Sequence, residues 1–105
     1  MIAQELQLND WVCIHGEYWR TTIATIQLAW DDPDKVQPIP LTSEILEKNG
    51  WVFDEIGGDY YNTEIHFRIY GRSLPHMIFD GVEINYVHEL QHALKLRKTE
   101  KKIIL

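Results

Sequence analysis

The first third of the chain alternates apolar and polar positions in a way that predicts strands. Asp10-Trp11-Val12-Cys13-Ile14 is a short apolar run closed by the turn signal His15-Gly16-Glu17. A longer run from Tyr18 to Trp30 is rich in Thr, Ile and aromatic residues, and Ala24, Ile26, Leu28 and Trp30 fall on one face at period two. Ile23 interrupts that alternation, which predicts a bulge or a strand buried on both sides. Asp31-Asp32-Pro33-Asp34 is a turn, because proline fixes φ and aspartate side chains bond nearby amides. Lys35-Val36-Gln37 then pairs back as a short strand until Pro38 stops it.

The pattern next changes to a short helix over 42–49 with both ends specified. Thr42 is the N-cap, and Ser43-Glu44 sets a carboxylate in the first turn. Leu41 before the cap and Leu46 at the fourth helical position form a hydrophobic staple. Asn49-Gly50 ends the helix, with Gly50 left-handed and Trp51 folding back on Leu46 in a Schellman ending. A second β region follows: Trp51-Val52-Phe53, a turn at Gly57-Gly58, Tyr60-Tyr61, and Thr63 to Tyr70. In the last of these Ile65, Phe67 and Ile69 alternate with Glu64, His66 and Arg68, the signature of a sheet with one wet face. Gly71-Arg72-Ser73 turns, His76 to Phe79 is a strand, Asp80-Gly81 turns again, and Val82-Glu83-Ile84 is a short strand. Asn85 then caps a final helix from Tyr86 to about Arg97.

Composition narrows the class. The chain has 105 residues, 45% hydrophobic and 25% charged, which is ordinary for one soluble globular domain and excludes disorder or a collagen repeat. Cys13 is the only cysteine, so an intrachain disulfide and a cysteine-built structural zinc site are both excluded. The N-terminus has no basic segment followed by an apolar run, and no apolar stretch approaches the ~20 residues of a membrane span. A cytoplasmic protein with no membrane contact is expected.

The net charge of −6 is unevenly distributed. Residues 1–94 carry five Lys and Arg against fifteen Asp and Glu, whereas residues 95–105 carry Lys95, Arg97, Lys98, Lys101 and Lys102 against Glu100 alone. The acidic body repels phosphate backbones and argues against a nucleic-acid partner. Cations in the last helical turn are stabilised by the helix dipole, so the basic tail needs no ligand to explain it.

One segment carries the spacing of a catalytic motif. His88-Glu89-Leu90-Gln91-His92 matches H-E-x-x-H, in which two histidines one turn apart bind Zn²⁺ and the glutamate activates the metal-bound water. Five His and nine Glu in this chain give about 0.02 chance matches, few enough to make the segment a candidate. Three features oppose it. A catalytic zinc needs a third protein ligand. Lys95 and Lys98 stand where an extended metalloprotease motif has Gly and His, and no spacing favours His15, His66 or His76. On a helical wheel with Val87 at zero, Leu90 and Leu94 lie at about 300° and 340°, with Tyr86 and Ala93 at about 260° and 240°. His88 and His92, at about 100° and 140°, then point to solvent. The nearby Lys and Arg also repel a dication. No catalytic or cofactor-binding residue, no metal and no cofactor are therefore expected, with His88, Glu89 and His92 as the zinc alternative.

Other candidates are weaker. Asp31-Asp32-Pro33-Asp34 lacks the ligand spacing and glycine of a calcium loop. Gly57-Gly58 is not followed by the Gly-Lys-Ser/Thr of a phosphate loop. Tyr18, Trp19, Trp30, Trp51, Tyr60 and Tyr61 are rings that serve either as a stacking platform or as core and edge packing.

Residues 38–51, Pro-Ile-Pro-Leu-Thr-Ser-Glu-Ile-Leu-Glu-Lys-Asn-Gly-Trp, resemble a family of short uncharacterised proteins of gut Bacteroidales genomes, often in phages and other mobile elements. That family typically reads P-I-P-L-T-E-E-I-L-x-K-x-G-F at this point. Residues 6–12 resemble its L-R-I-G-N-W-V, and residues 86–92 resemble its Y-V-H-Q-L-Q-N. This chain departs at the end, where Ala93-Leu94-Lys95-Leu96 and the basic tail replace an aromatic, Thr-Gly finish. The resemblance implies no activity. It does imply that Glu89 and His92 stand where relatives carry Gln and Asn, on a helix that is structural, where His88 caps or bonds a neighbouring loop.

The expected architecture is a single α+β domain over 1–105. A small curled antiparallel sheet, resembling an SH3-like half-barrel, leads to the short central helix. A second antiparallel meander follows, with the C-terminal helix packed on it. The expected role is a non-enzymatic binding or accessory protein with an unknown protein partner and a homodimeric form, since strand edges and surplus rings favour association. The competing roles are a small zinc hydrolase and a nucleic-acid-binding small barrel that uses the basic tail.

Overall fold

A computed structural model describes residues 1–65, 67–70, 77–79, 82–99 and 101–105. Its class is α+β, with two antiparallel sheets and three α-helices among the described residues. The chain divides into two compact units, Met1–Ile39 and Pro40–Leu105. No helix of the described residues is long and apolar enough to cross a membrane.

In the first unit, β1 (Trp11–Ile14) pairs antiparallel with β2 (Glu17–Arg20), Ile14 opposite Glu17. The two-residue turn between them places His15 and Gly16 at φ 51° and 76°, as a primed hairpin turn requires. Gln37 bridges the other side of β1, exchanging N–H···O bonds of 2.8 and 2.9 Å with Cys13. The return predicted for Lys35–Gln37 is thus present as one bridged residue, and Cys13 is half-buried on its strand. No closed barrel forms among the described residues.

The long strand expected from Tyr18 to Trp30 is not formed. Its first residues are β2, and the rest is α1 (Ile23–Asp31). Ala24–Trp30 carries a period of two, yet the N-terminal cap sets the run as a helix. Thr22 Oγ1 accepts the Thr25 N–H at 3.4 Å while Thr25 Oγ1 accepts the Thr22 N–H at 3.2 Å. Thr25 and Ala29, one turn apart, are the buried positions of α1, and Ile26 and Leu28 flank them. Ala29 joins Ala3, Leu6, Val12 and Val36 in a small apolar core. The chain start is fixed there too, because the Met1 ammonium donates to the carbonyls of Pro33 and Val36 at 2.9 and 2.7 Å.

The second unit opens with α2 (Ser43–Lys48), whose ends match the sequence reading. Thr42 Oγ1 accepts the Ile45 N–H at 3.2 Å, and the staple residues Leu41 and Leu46 are both buried. Gly50 has φ 92°, its N–H reaches the Glu47 carbonyl, and the Trp51 N–H reaches the Leu46 carbonyl, which is a Schellman ending.

A five-stranded antiparallel meander follows: β3 (Val52–Asp54), β4 (Asp59–Asn62), β5 (Phe67–Tyr70), β6 (Met77–Phe79) and β7 (Val82–Ile84). The strand predicted from Thr63 begins only at Phe67, because Asn62 Oδ1 accepts the Glu64 and Ile65 N–H groups and turns the chain. The side chains of His66 and Phe67, His76, and the turns at 71–73 and 80–81 lie outside the described residues. At the β3–β4 turn, Asp54 Oδ1 accepts the N–H groups of Ile56 and Gly57. A Cβ on Gly57 would come within 2.9 Å of Asp59 Oδ1, so a side chain there forces a shift. Buried Asp59 pairs with Arg68 at 2.6 Å, and Arg68 also stacks over Tyr61, its direct cross-strand partner.

Helix α3 (Val87–Leu96) packs beside β7 and buries Val87, Leu90 and Leu94. Its entry is tied to the start of the unit by a Pro40–Tyr86 bridge and by the Leu41 N–H bonding the Asn85 carbonyl.

Candidate functional site

The H-E-x-x-H segment occupies the first half of α3. Expected as the cap, Asn85 instead precedes it, and Tyr86 takes the cap position. The capping acceptor is Glu89, whose Oε1 accepts the N–H groups of Asn85 and Tyr86, each at 3.0 Å. Two backbone donors at the helix start are thus satisfied by one carboxylate, whose charge also favours the positive end of the helix dipole. The glutamate that a zinc hydrolase would use as its base is therefore engaged in starting the helix.

The two histidines do not both face water, which corrects the expected rotation of the helix. His88 is buried, at 5% exposure, and His92 is half-buried. The buried arc runs from Leu90 through Leu94 and Val87 to His88, whereas Tyr86 and Ala93, counted as core on the wheel, are only half-buried. The rings of His88 and His92 meet edge to face with centroids 5.6 Å apart, and Tyr86 stacks on His88 at 5.9 Å. Among the described residues, no group of three or more His, Cys, Asp or Glu side chains is placed to hold one metal ion. His66 and His76 fall outside the described residues, and His15 sits in the hairpin turn of the first unit.

The six candidate rings divide by exposure. Trp51 and Tyr60 are buried and Tyr61 is half-buried, so they serve packing. Tyr18 and Trp19 are 53% and 52% exposed, and all four residues of β2 face solvent. Trp19 lies opposite buried Val12, while Arg20 stacks over its cross-strand partner Trp11 at 4.9 Å. On α1, Ile23 and Trp30 are exposed and lie two turns apart on one helix face. The alternation of an antiparallel ladder turns the N–H and C=O of Tyr18 and Arg20 away from β1. Among the described residues no strand pairs with that edge.

The remaining acidic turn is structural. Pro33–Lys35 is a single 3₁₀ turn, Gln37 Nε2 donates to the Asp34 carbonyl, and Lys35 lies 3.9 Å from Asp32 at the surface.

A polar centre that the sequence reading passed over lies at Asn49. This residue is 3% exposed. Its Nδ2 donates to the carbonyls of Ile45 and Ile104, each at 2.8 Å, and its Oδ1 accepts the Ile104 N–H at 2.7 Å. Asn62 Nδ2 in turn donates to the Asn49 carbonyl at 3.2 Å. Local signals explain Asn49 as a helix end, but nothing local reveals a partner fifty-five residues away.

No protein-family model, curated protein or solved structure matches the chain.

Proposed function

We propose that this chain is a cytoplasmic, non-enzymatic binding or accessory protein that acts through protein contacts, of the kind that phages and mobile elements carry. The mobile-element origin rests on the resemblance of residues 38–51, 6–12 and 86–92 to the Bacteroidales family. The observation that carries the contact role is the outer edge of β2. It combines main-chain groups that pair with no strand among the described residues with Tyr18 and Trp19, exposed on opposite faces of the strand. An extended segment of a partner protein would add to that edge as a further strand, bonded through the main chain and gripped by the two rings.

Two features count against the competing roles. The Glu89 carboxylate caps α3. In the basic tail, Lys101 bonds Glu64 at 3.3 Å and is largely covered.

The test is site-specific photocrosslinking in the native host from position 19, with exposed Glu47 as control site. One recurrent partner is expected from position 19 and not from position 47. It should be lost in Tyr18→Pro, which removes an edge N–H. The reading fails if the two sites give the same products.

A further inference from the structure

The order of residues along β2, Glu17-Tyr18-Trp19-Arg20, suits it to pair with itself. All four residues are exposed, and the outward main-chain groups are those of Tyr18 and Arg20. A two-fold axis through an antiparallel pair places one residue opposite its own copy, and that residue fixes the register. Centring on Glu17 sets two carboxylates face to face, and centring on Arg20 sets two guanidinium groups face to face, both destabilising. Centring on Tyr18 puts Arg20 opposite the turn residue Gly16. Centring on Trp19 pairs Tyr18 with Arg20 of the second copy and Arg20 with its Tyr18. Every outward N–H and C=O of both strands then finds a partner, four main-chain bonds in all.

The side chains favour the same register. Residues directly opposite each other share a face of the sheet. Arg20 already stacks over Trp11 at 4.9 Å. In the Trp19-centred pair, Tyr18 of the second copy flanks Arg20 from the other side, so each cation lies between two rings. On the opposite face Trp19 meets its own copy at a position without ladder bonds, where side chains approach most closely. Glu17 and Arg20 leave the strand neutral, so the net charge of −6 is not concentrated at this contact. Pairing also extends the sheet of the first unit, which has two strands and one bridged residue, to four strands across the axis.

We propose that the occupant of the β2 edge is the β2 strand of a second copy of this chain, joined about a two-fold axis at Trp19. This rests on the reading of that edge as the contact surface and names its partner.

Sedimentation of the intact chain up to ~1 mM, with charge variants, tests it. The native chain should double in mass reversibly. Tyr18→Arg faces Arg20 of the second copy twice across the axis and should weaken the dimer by about tenfold. Arg20→Glu alone should weaken it as well, and Tyr18→Arg with Arg20→Glu should restore it, because position 18 of one copy meets position 20 of the other. A photoreactive residue at position 19 of the purified, otherwise native chain should crosslink to residues 18–20 of a second copy, a readout that needs no charge variant to fold. A chain that stays monomeric while position 19 captures a different protein in the host would overturn the self-pairing and leave the edge reading standing. A monomer that captures nothing there would overturn both. A dimer that both single variants leave intact, or that crosslinks from position 19 to residues outside 18–20, would overturn the register and the proposal with it.

Discussion

At the scale of single residues, backbone conformation and capping decide more than side-chain type. Gly50 and Lys98 occupy the same position in two Schellman endings, at φ 92° and 56°. Only the first carries the residue suited to it. Gly50→Ala should destabilise the fold by about 1 kcal/mol or more, and Lys98→Gly should stabilise it by up to about 1 kcal/mol, both measured by urea unfolding. Glu89 gives a sharper test, because capping and base catalysis make different demands on it. Glu89→Ala should cost about 1 kcal/mol of stability through two orphaned N–H groups, and Glu89→Gln should retain most of it, since an amide oxygen still accepts. Equal stability of all three proteins would contradict the capping role. The burial of His88 was not legible from the wheel, which weighs a residue's own polarity and ignores how widely the neighbouring structure wraps the first turn of α3.

At the scale of elements, legibility tracked locality. Everything that makes α2 lies within Leu41–Trp51: a cap, a staple and a glycine ending, each a contact between near neighbours in sequence. That element was readable to the residue. The meander was readable in outline, from Gly57-Gly58, Tyr60-Tyr61 and the Ile69–Arg68 alternation, but Asn62 shortened one strand through an Asx turn. Helix α1 departs from the predicted strand because Ala24, Ile26, Leu28 and Trp30 fit a period of two while the run as a whole also forms a helix. The signal that separates them, threonines at 22 and 25, sat inside a run whose composition favours strands. Thr22→Ala should therefore weaken α1 specifically, by about 1 kcal/mol. Hydrogen exchange should show protection lost over Ile23–Asp31 and kept over α2. Uniform loss across both helices would mean that the capping box does not set α1.

At the scale of the whole molecule, the exposed groups and the chemical groups lie on different residues. The exposed rings and the strand edge left unpaired among the described residues belong to Tyr18, Trp19 and their neighbours, while the catalytic-looking spacing belongs to a helix start. Of the candidate site, the sequence carried the motif, but the helix rotation used to discount it is corrected by the burial of His88. The sequence did not carry the Asn49–Ile104 clasp, which depends on residues far apart in the chain. Under the proposed contact role, His88, Glu89 and His92 build a helix and hold no catalytic metal. Metal analysis of the intact chain, purified without chelators and equilibrated with zinc, tests it most directly. The account predicts no tightly held zinc and no difference between the native chain and His92→Asn. One zinc per chain that survives dialysis and disappears in His92→Asn would contradict it.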